Sequence, residues 1–356
     1  MSRSRVLVVG LVVAALLLVG LAIGCGGDSS NGDAYKAAMA TDVGKLGDKS
    51  FNDGVWAGLE QAQSELGVTS SYLVSEQQTD YVPNLTRLVQ DGNQVVFAVG
   101  FLMSDAIQEV AAQYPDTMFA GIDIDLFDAS FNPIDVPNIR EVLFAEQEAG
   151  YLAGLVAGHM TLDASLSDRL NDDKVVGIVA GMKIPPVDRY IAGFVAAVKA
   201  VDPEIVVLLT YTDTFDDPNV GKEAAVPMYD GGADIVFQVA GKTGLGVFEA
   251  AKDAGRFAIG VDVDQSAALP EVILTSAEKK LGQATFLTVQ EAKESGALPG
   301  GNVVYDLKNG GVGISSFHEH DSIVPQAVKD AVAKAQEDII AGTLVVPATV
   351  DDTLVN

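Results

Sequence analysis

The sequence predicts an α/β protein built as two doubly wound lobes with mainly parallel sheets, and three observations carry that expectation. From Tyr35 onward, short β-rich runs alternate with stretches of helical periodicity. Most runs are almost continuously apolar, as strands covered on both faces are. The runs also fall into two successive series of about five, each enough for one lobe built from right-handed crossovers.

In chain order, the first series places strands at Tyr35–Thr41, Ser70–Val74, Gln94–Val99, Met118–Ile124 and Ile139–Phe144. The second places them at Lys174–Ala180, Ile205–Tyr211, Ile235–Ala240, Phe257–Val263 and Val272–Ser276. Helical periodicity separates them at Gly54–Leu66, Ser104–Gln113, Ala145–His159, Gly193–Ala200 and Gly246–Ala254. After Ser276 a helix (Glu278–Ser295), a strand (Asn302–Leu307), a Gly-rich turn, a strand near Val312–Phe317 and a last helix (Gln326–Ala341) are expected. That tail is too short for a third domain; it suits a chain that returns to complete the first lobe and crosses again to finish the second. The expected division is 34–142 plus 273–300 for the first lobe and 143–272 plus 301–356 for the second, preceded by a signal (1–24) and a linker (25–33). A length of 356 residues fits two compact lobes, since single cores rarely grow past ~250 residues.

Charge excludes one class of partner. With 49 acidic against 22 basic residues the formal charge is −27, a field that repels phosphodiester backbones, so no nucleic-acid polymer is expected. The N-terminus is more specific: Arg3 and Arg5 precede an apolar run from Val6 to Ile23, then Gly24-Cys25 and a polar tract from Gly26 to Asp33. This order reads as an export signal. Cys25 is the only cysteine, which rules out a disulfide within the chain. Its setting resembles a bacterial lipobox, whose cysteine is acylated, with Ala22 where leucine is usual. An uncleaved membrane anchor is the competing reading, because the apolar run nearly spans a bilayer. Both place the rest of the chain outside the cytoplasm.

Open parallel sheets bind ligands beyond the carboxyl ends of their strands. Asp42 follows the first strand, Asp123 and Asp125 the fourth, and Asp262 and Asp264 end "FAIGVDVD". Phe51 opens a helix, and the second lobe adds Phe215 and the glycines of "AGKTGLGVFEAAK", Gly241 first among them. Carboxylates and aromatic rings at one edge suit a flat ring bearing hydroxyls. Each residue also has a plainer reading: Phe51 and Trp56 as a hydrophobic staple beside an N-cap at Asn52, Asp42 as a turn former, one of Asp262 and Asp264 as a loop cap, Phe215 as core.

Several motifs fail. "VFQVAGKT" lacks the first glycine of a phosphate-binding loop, which would fall at Val236. Ser276-x-x-Lys279 and Lys242-Thr243-Gly244 stand in the reverse of the order penicilloyl-serine enzymes need. His318-Glu319-His320 has no further ligand cluster and reads as a solvated turn rather than a metal site.

"TDVGKLGDKSFNDGVWAGL", "YTDTFDDPNVGKEAA", "VFQVAGKTGLGVFEAAKDAG" and "AIGVDVDQ" followed by "LTSAEKK" together resemble the basic membrane protein family of extracytoplasmic lipoproteins that serve ABC importers, in particular its purine nucleoside receptors. The resemblance implies a type I periplasmic-binding-protein fold, two α/β lobes joined by three crossings. It implies further that Asp42 and Asn52 hydrogen-bond a purine base, that Phe51 and Phe215 sandwich it, and that Asp123, Gly241, Asp262 and Lys279 hold the ribose. Asp125, Asp264 and Lys280 compete for the roles of Asp123, Asp262 and Lys279. Met182–Phe194 departs from the family pattern at Arg189-Tyr190. The expected protein is thus a monomeric, non-enzymatic receptor with no cofactor, lipid-anchored to the cell membrane on its extracytoplasmic face. It would take guanosine, inosine or adenosine and hand it to a permease. The alternatives are a nucleoside hydrolase, against which the dispersal of Asp42, Asp123 and Asp262 counts, and a receptor for another sugar-like ligand in the same fold.

Overall fold

The computed structural model describes residues 35–128, 130 and 132–356, so the signal, the linker and Cys25 lie outside the described residues. Strands β1 (Lys36–Ala40), β2 (Thr69–Leu73), β3 (Val95–Val99), β4 (Met118–Ile122) and β5 (Ile139–Phe144) alternate with α1 (Phe51–Leu66), α2 (Tyr81–Gln90) and α3 (Ser104–Gln113). There follow α4 (Glu146–Met160), β6 (Val175–Ala180), α5 (Pro185–Val201), β7 (Val206–Tyr211), α6 (Pro218–Asp230), β8 (Ala233–Val239), α7 (Leu245–Ala254), β9 (Phe257–Asp262) and β10 (Ile273–Lys279). The tail adds α8 (Leu281–Ser295), β11 (Gly301–Tyr305), β12 (Val312–Ile314) and α9 (Gln326–Ile340).

Two six-stranded sheets result, ordered β11-β5-β4-β3-β1-β2 and β12-β10-β9-β8-β6-β7. Among the described residues all pairings of these strands are parallel except β12 on β10. The central strands β3, β5, β6, β8 and β9 are buried at every residue, which explains the unbroken apolar runs of β3 and β6 and the mainly apolar character of the others. In both sheets the order reverses beside the first strand of the lobe, the arrangement that opens a crevice at the strands' carboxyl ends.

Sheet membership corrects the expected lobe boundaries. Residues 273–279 form β10 and pair with β9 of the second sheet, whereas 301–305 form β11 and extend the first sheet beside β5. The chain therefore crosses between lobes at Ala145, at Lys280 and between β11 and β12. After the first crossing α4 packs on α5 so closely that a Cβ on Gly193 would lie 1.9 Å from Gln147 O. After the second, α8 packs on α1, where a Cβ on Gly58 would lie 2.4 Å from Gly282 O. Only glycine admits such approaches. Helix α5 begins earlier than its periodicity suggests, at Pro185, whose fixed φ suits a first helical turn.

Candidate functional site

Between the facing sheet edges lies a crevice of about 540 Å³, its open mouth included. Asp42, Phe51, Asn52 and Asp123 line it from the first lobe, Phe215, Gly241 and Asp262 from the second, and Lys279 from the end of β10. The structure thus brings all eight sequence-predicted residues to one cavity. The loops after β1 and β3 supply one wall, with Asp42, Gly100 and Phe101. Those after β6 and β8 supply the other, with Ile184 and Gly241.

Helix α1 is started by Asp48, not by Asn52 as the sequence suggested. The buried Asp48 carboxylate accepts the N–H groups of Ser50 at 2.9 Å, Asn52 at 2.8 Å and Asp53 at 3.1 Å, which are orphan donors of a helix start. Asn52 is thereby free to project inward, where its Nδ2 donates to Asp42 Oδ1 and Asp48 Oδ2, both at 3.1 Å. Asp42 Oδ1 also accepts Gly44 N–H at 2.9 Å, so the carboxylate shapes its turn as well as lining the crevice. Burial pushes the Asp42 carboxyl up to about 6 against the hydrogen bonds from Asn52 and Gly44, and Asp48 up to about 7.

A buried ionic group occupies the hinge side. Lys279 Nζ bonds Asp123 Oδ2, stands 3.0 Å from Glu146 Oε1, and lies 5.2 Å from the ring centroid of Phe51 and 5.4 Å from that of Tyr190. Burial alone pulls the ammonium down, but Asp123, Glu146 and Asp262 outweigh it and keep it charged. Burial likewise pushes Asp123 up against the pull of Lys279. Glu146, wholly buried at the start of α4, also accepts Arg189 Nε–H at 2.5 Å, and Arg189 Nη1 reaches Asp125 Oδ2 at 3.7 Å. Among the described residues Asp123 Oδ1 has no hydrogen-bond partner.

Asp123 and Asp262 both hold a positive φ, 59° and 67°, and each follows or ends a central strand. At Asp262 the Val263 N–H folds back to Val261 O at 2.8 Å, a γ-turn that an L residue adopts under strain. These turns break the alternation of the strand and separate each carboxylate from its neighbour two residues on. Asp125 goes to Arg189, and Asp264 goes to His318 Nε2 at 2.6 Å instead of sharing the face of Asp262. Lys280 pairs with Glu278 at 2.7 Å, outside the crevice lining.

The lobes touch around the crevice. Ser50 Oγ donates to Asp262 Oδ2 at 2.6 Å, and Gln265 Nε2 donates to the Lys49 carbonyl at 3.0 Å. Phe215 lies on Gly181, where a Cβ would come within 2.1 Å of the ring. Sequence reasoning missed Asp48, Glu146 and Tyr190; for Asp48 the signal was an acidic residue three places before the helix. Arg189-Tyr190, noted as a departure, divide their roles: Tyr190 lines the crevice and Arg189 neutralises Glu146. His318–His320 form a 3₁₀ turn, and among the described residues no group of three His, Cys, Asp or Glu side chains is placed to hold a metal ion.

Comparison with known proteins decides the family. The family model Bmp, described as ABC transporter substrate-binding protein PnrA-like, matches residues 35–349. This chain belongs to the Bmp family. As a Bmp protein it is an ABC transporter substrate-binding protein, and it is 32% identical to the ABC transporter nucleoside-binding protein BmpA of Lactococcus lactis over 97% of this chain and 99% of that one. An uncharacterized lipoprotein of Pyrococcus furiosus is 34% identical over 85% of this chain and 76% of its own. The crystal structure of an ABC transporter system solute-binding protein from Aeropyrum pernix K1 superposes with a TM-score of 0.79 at 27% identity, covering 90% of this chain and 95% of that one. The two parallel-sheet lobes of this Bmp protein are those of the type I periplasmic-binding fold.

Proposed function

We propose that the chain captures a purine nucleoside in the crevice, closes around it by hinge motion, and delivers it to an ABC importer while held by a lipid on Cys25 at the extracytoplasmic face of the cell membrane. One observation carries this reading: benzyl side chains from opposite lobes, Phe51 and Phe215, line the same cavity as the buried carboxylates Asp42, Asp123 and Asp262. In this reading the two rings stack on the base, and stacking contributes ~1–3 kcal/mol per base. Asp42 and Asn52 meet the base edge. Asp123, whose Oδ1 is unpartnered, joins Asp262, Lys279 and Gly241 around the ribose. The name of the Lactococcus relative points the same way.

Calorimetric titration of the full chain in mild detergent with guanosine, inosine, adenosine and free ribose tests the proposal. Saturable heat with at least one nucleoside, and much weaker heat with ribose, is expected; no response to any nucleoside overturns it. Trp56, the single tryptophan, lies on α1 five residues after Phe51 and offers a fluorescence readout. Inosine incubated with the protein should stay intact; free hypoxanthine would speak for a hydrolase.

A further inference from the structure

Asn52 is held by Asp48, and the way it is held dictates what this end of the crevice can recognise. A carboxamide has two N–H donors. Both hydrogens of Asn52 Nδ2 are committed, one to Asp42 Oδ1 and one to Asp48 Oδ2, each at 3.1 Å. The flipped amide would aim its oxygen at two carboxylates, so the hydrogen-bond network itself fixes the orientation. Asp48 cannot turn away, because three backbone N–H groups at the start of α1 hold its carboxylate. Asn52 Oδ1 is consequently a buried acceptor without a partner, and among the described residues nothing donates to Asp42 Oδ2.

We propose that Asp48 is a positioning residue for specificity: by locking Asn52 beside Asp42 it makes this end of the crevice a pair of fixed acceptors, which selects a ligand edge bearing two adjacent N–H donors. The inference rests on the nucleoside reading above and deepens it. Guanine offers two adjacent donors, N1–H and the N2 amine. Hypoxanthine offers N1–H alone, beside a C–H. Adenine sets its N6 amine next to the N1 lone pair, which would face an acceptor that cannot rotate to become a donor. Leaving one buried acceptor unmet weakens binding about ten-fold, and a lone pair facing an acceptor weakens it further.

The test is titration of the full chain with guanosine, inosine and adenosine, repeated on Asp48→Asn. In that variant the new carboxamide can present its N–H to Asn52, so the Asn52 amide is free to turn over. The expected wild-type order is guanosine tightest, inosine about ten-fold weaker and adenosine weaker still. Asp48→Asn should retain binding while the guanosine-to-adenosine ratio moves toward one. Adenosine bound by the wild type as tightly as guanosine overturns the inference and leaves the nucleoside reading standing, as does an unchanged ratio in the variant. Silence toward all three overturns both. The wild-type ranking needs no variant, so a poorly folded Asp48→Asn does not remove the test.

Discussion

Lys45, in the loop after β1, and Asp216, in the loop after β7, form an ion pair from one lobe to the other, with Nζ 2.8 Å from Oδ2. Lys242 holds the other oxygen of Asp216 at 3.1 Å, and Glu76 shares Lys45 at 2.8 Å. Partial burial pushes the Asp216 carboxyl up, yet the two lysines outweigh it and hold it below the usual range. Asp216 follows Phe215 directly, so the pair joins the lobes beside one of the two rings.

In the proposed receptor, lobe opening to release a nucleoside must break this pair. Asp216→Asn is expected to speed nucleoside release about two- to five-fold, the modest effect proper to a partly exposed pair. Release from the wild type should quicken with added salt, and release from the variant should respond less. Stopped-flow fluorescence at two ionic strengths measures both.

Removing either ring should weaken nucleoside binding far more. Phe51→Ala and Phe215→Ala are each expected to raise Kd by roughly 5- to 150-fold, the equivalent of ~1–3 kcal/mol of stacking. His318→Ala, whose partners are Asp264 and Ser316 outside the crevice, should leave Kd nearly unchanged. Equal effects from all three substitutions would contradict the stacking role.

Lys279 balances buried carboxylates, so its loss should show in stability as well as in binding. Lys279→Met strands Asp123, which has no other ion-pair partner among the described residues, while Glu146 keeps Arg189, and breaking a buried pair of this kind costs about 3–5 kcal/mol. Urea unfolding should show the loss, and adding Asp123→Asn should recover part of it.

Stability and affinity should run in opposite directions with pH. Burial raises Asp42 and Asp234 to about 6 and Asp48 to about 7, whereas the same groups in the unfolded chain titrate near ~4. Between those values the folded state holds more protons, so its stability is greatest at the acid end of this window and falls as pH rises through about 6 to 7. Melting of the ligand-free protein should therefore come at higher temperature at pH 5 than at pH 7.5. Nucleoside affinity should instead rise over that span, since Asp42 must ionise to accept from the base. Parallel trends in the two measurements would contradict the assignment of Asp42.

Much of this was legible in the sequence. The inner strands announce themselves because parallel strands buried on both faces are mostly apolar, as in β3 and β6. Two helices whose periodicity is less plain, α2 and α6, carry prolines, Pro83 and Pro227, which obscure a helical pattern. The tail's sheet membership is not legible locally, because β10 and β11 are both short strands of mixed composition and the choice of sheet rests on which strand each pairs with.

The sequence by itself determined two lobes of alternating strand and helix, with carboxylates and phenylalanines at the strand ends, because burial and turn chemistry act over a few neighbouring residues. Only the tertiary structure decided which of two adjacent carboxylates faces the crevice, since that follows from the left-handed turns at Asp123 and Asp262. It alone joined Ser50 to Asp262 and Glu146 to Lys279 and Arg189. Contacts between residues more than a hundred positions apart, like Ser50 with Asp262, are set by how sheets and helices pack, and no local pattern in the chain encodes them.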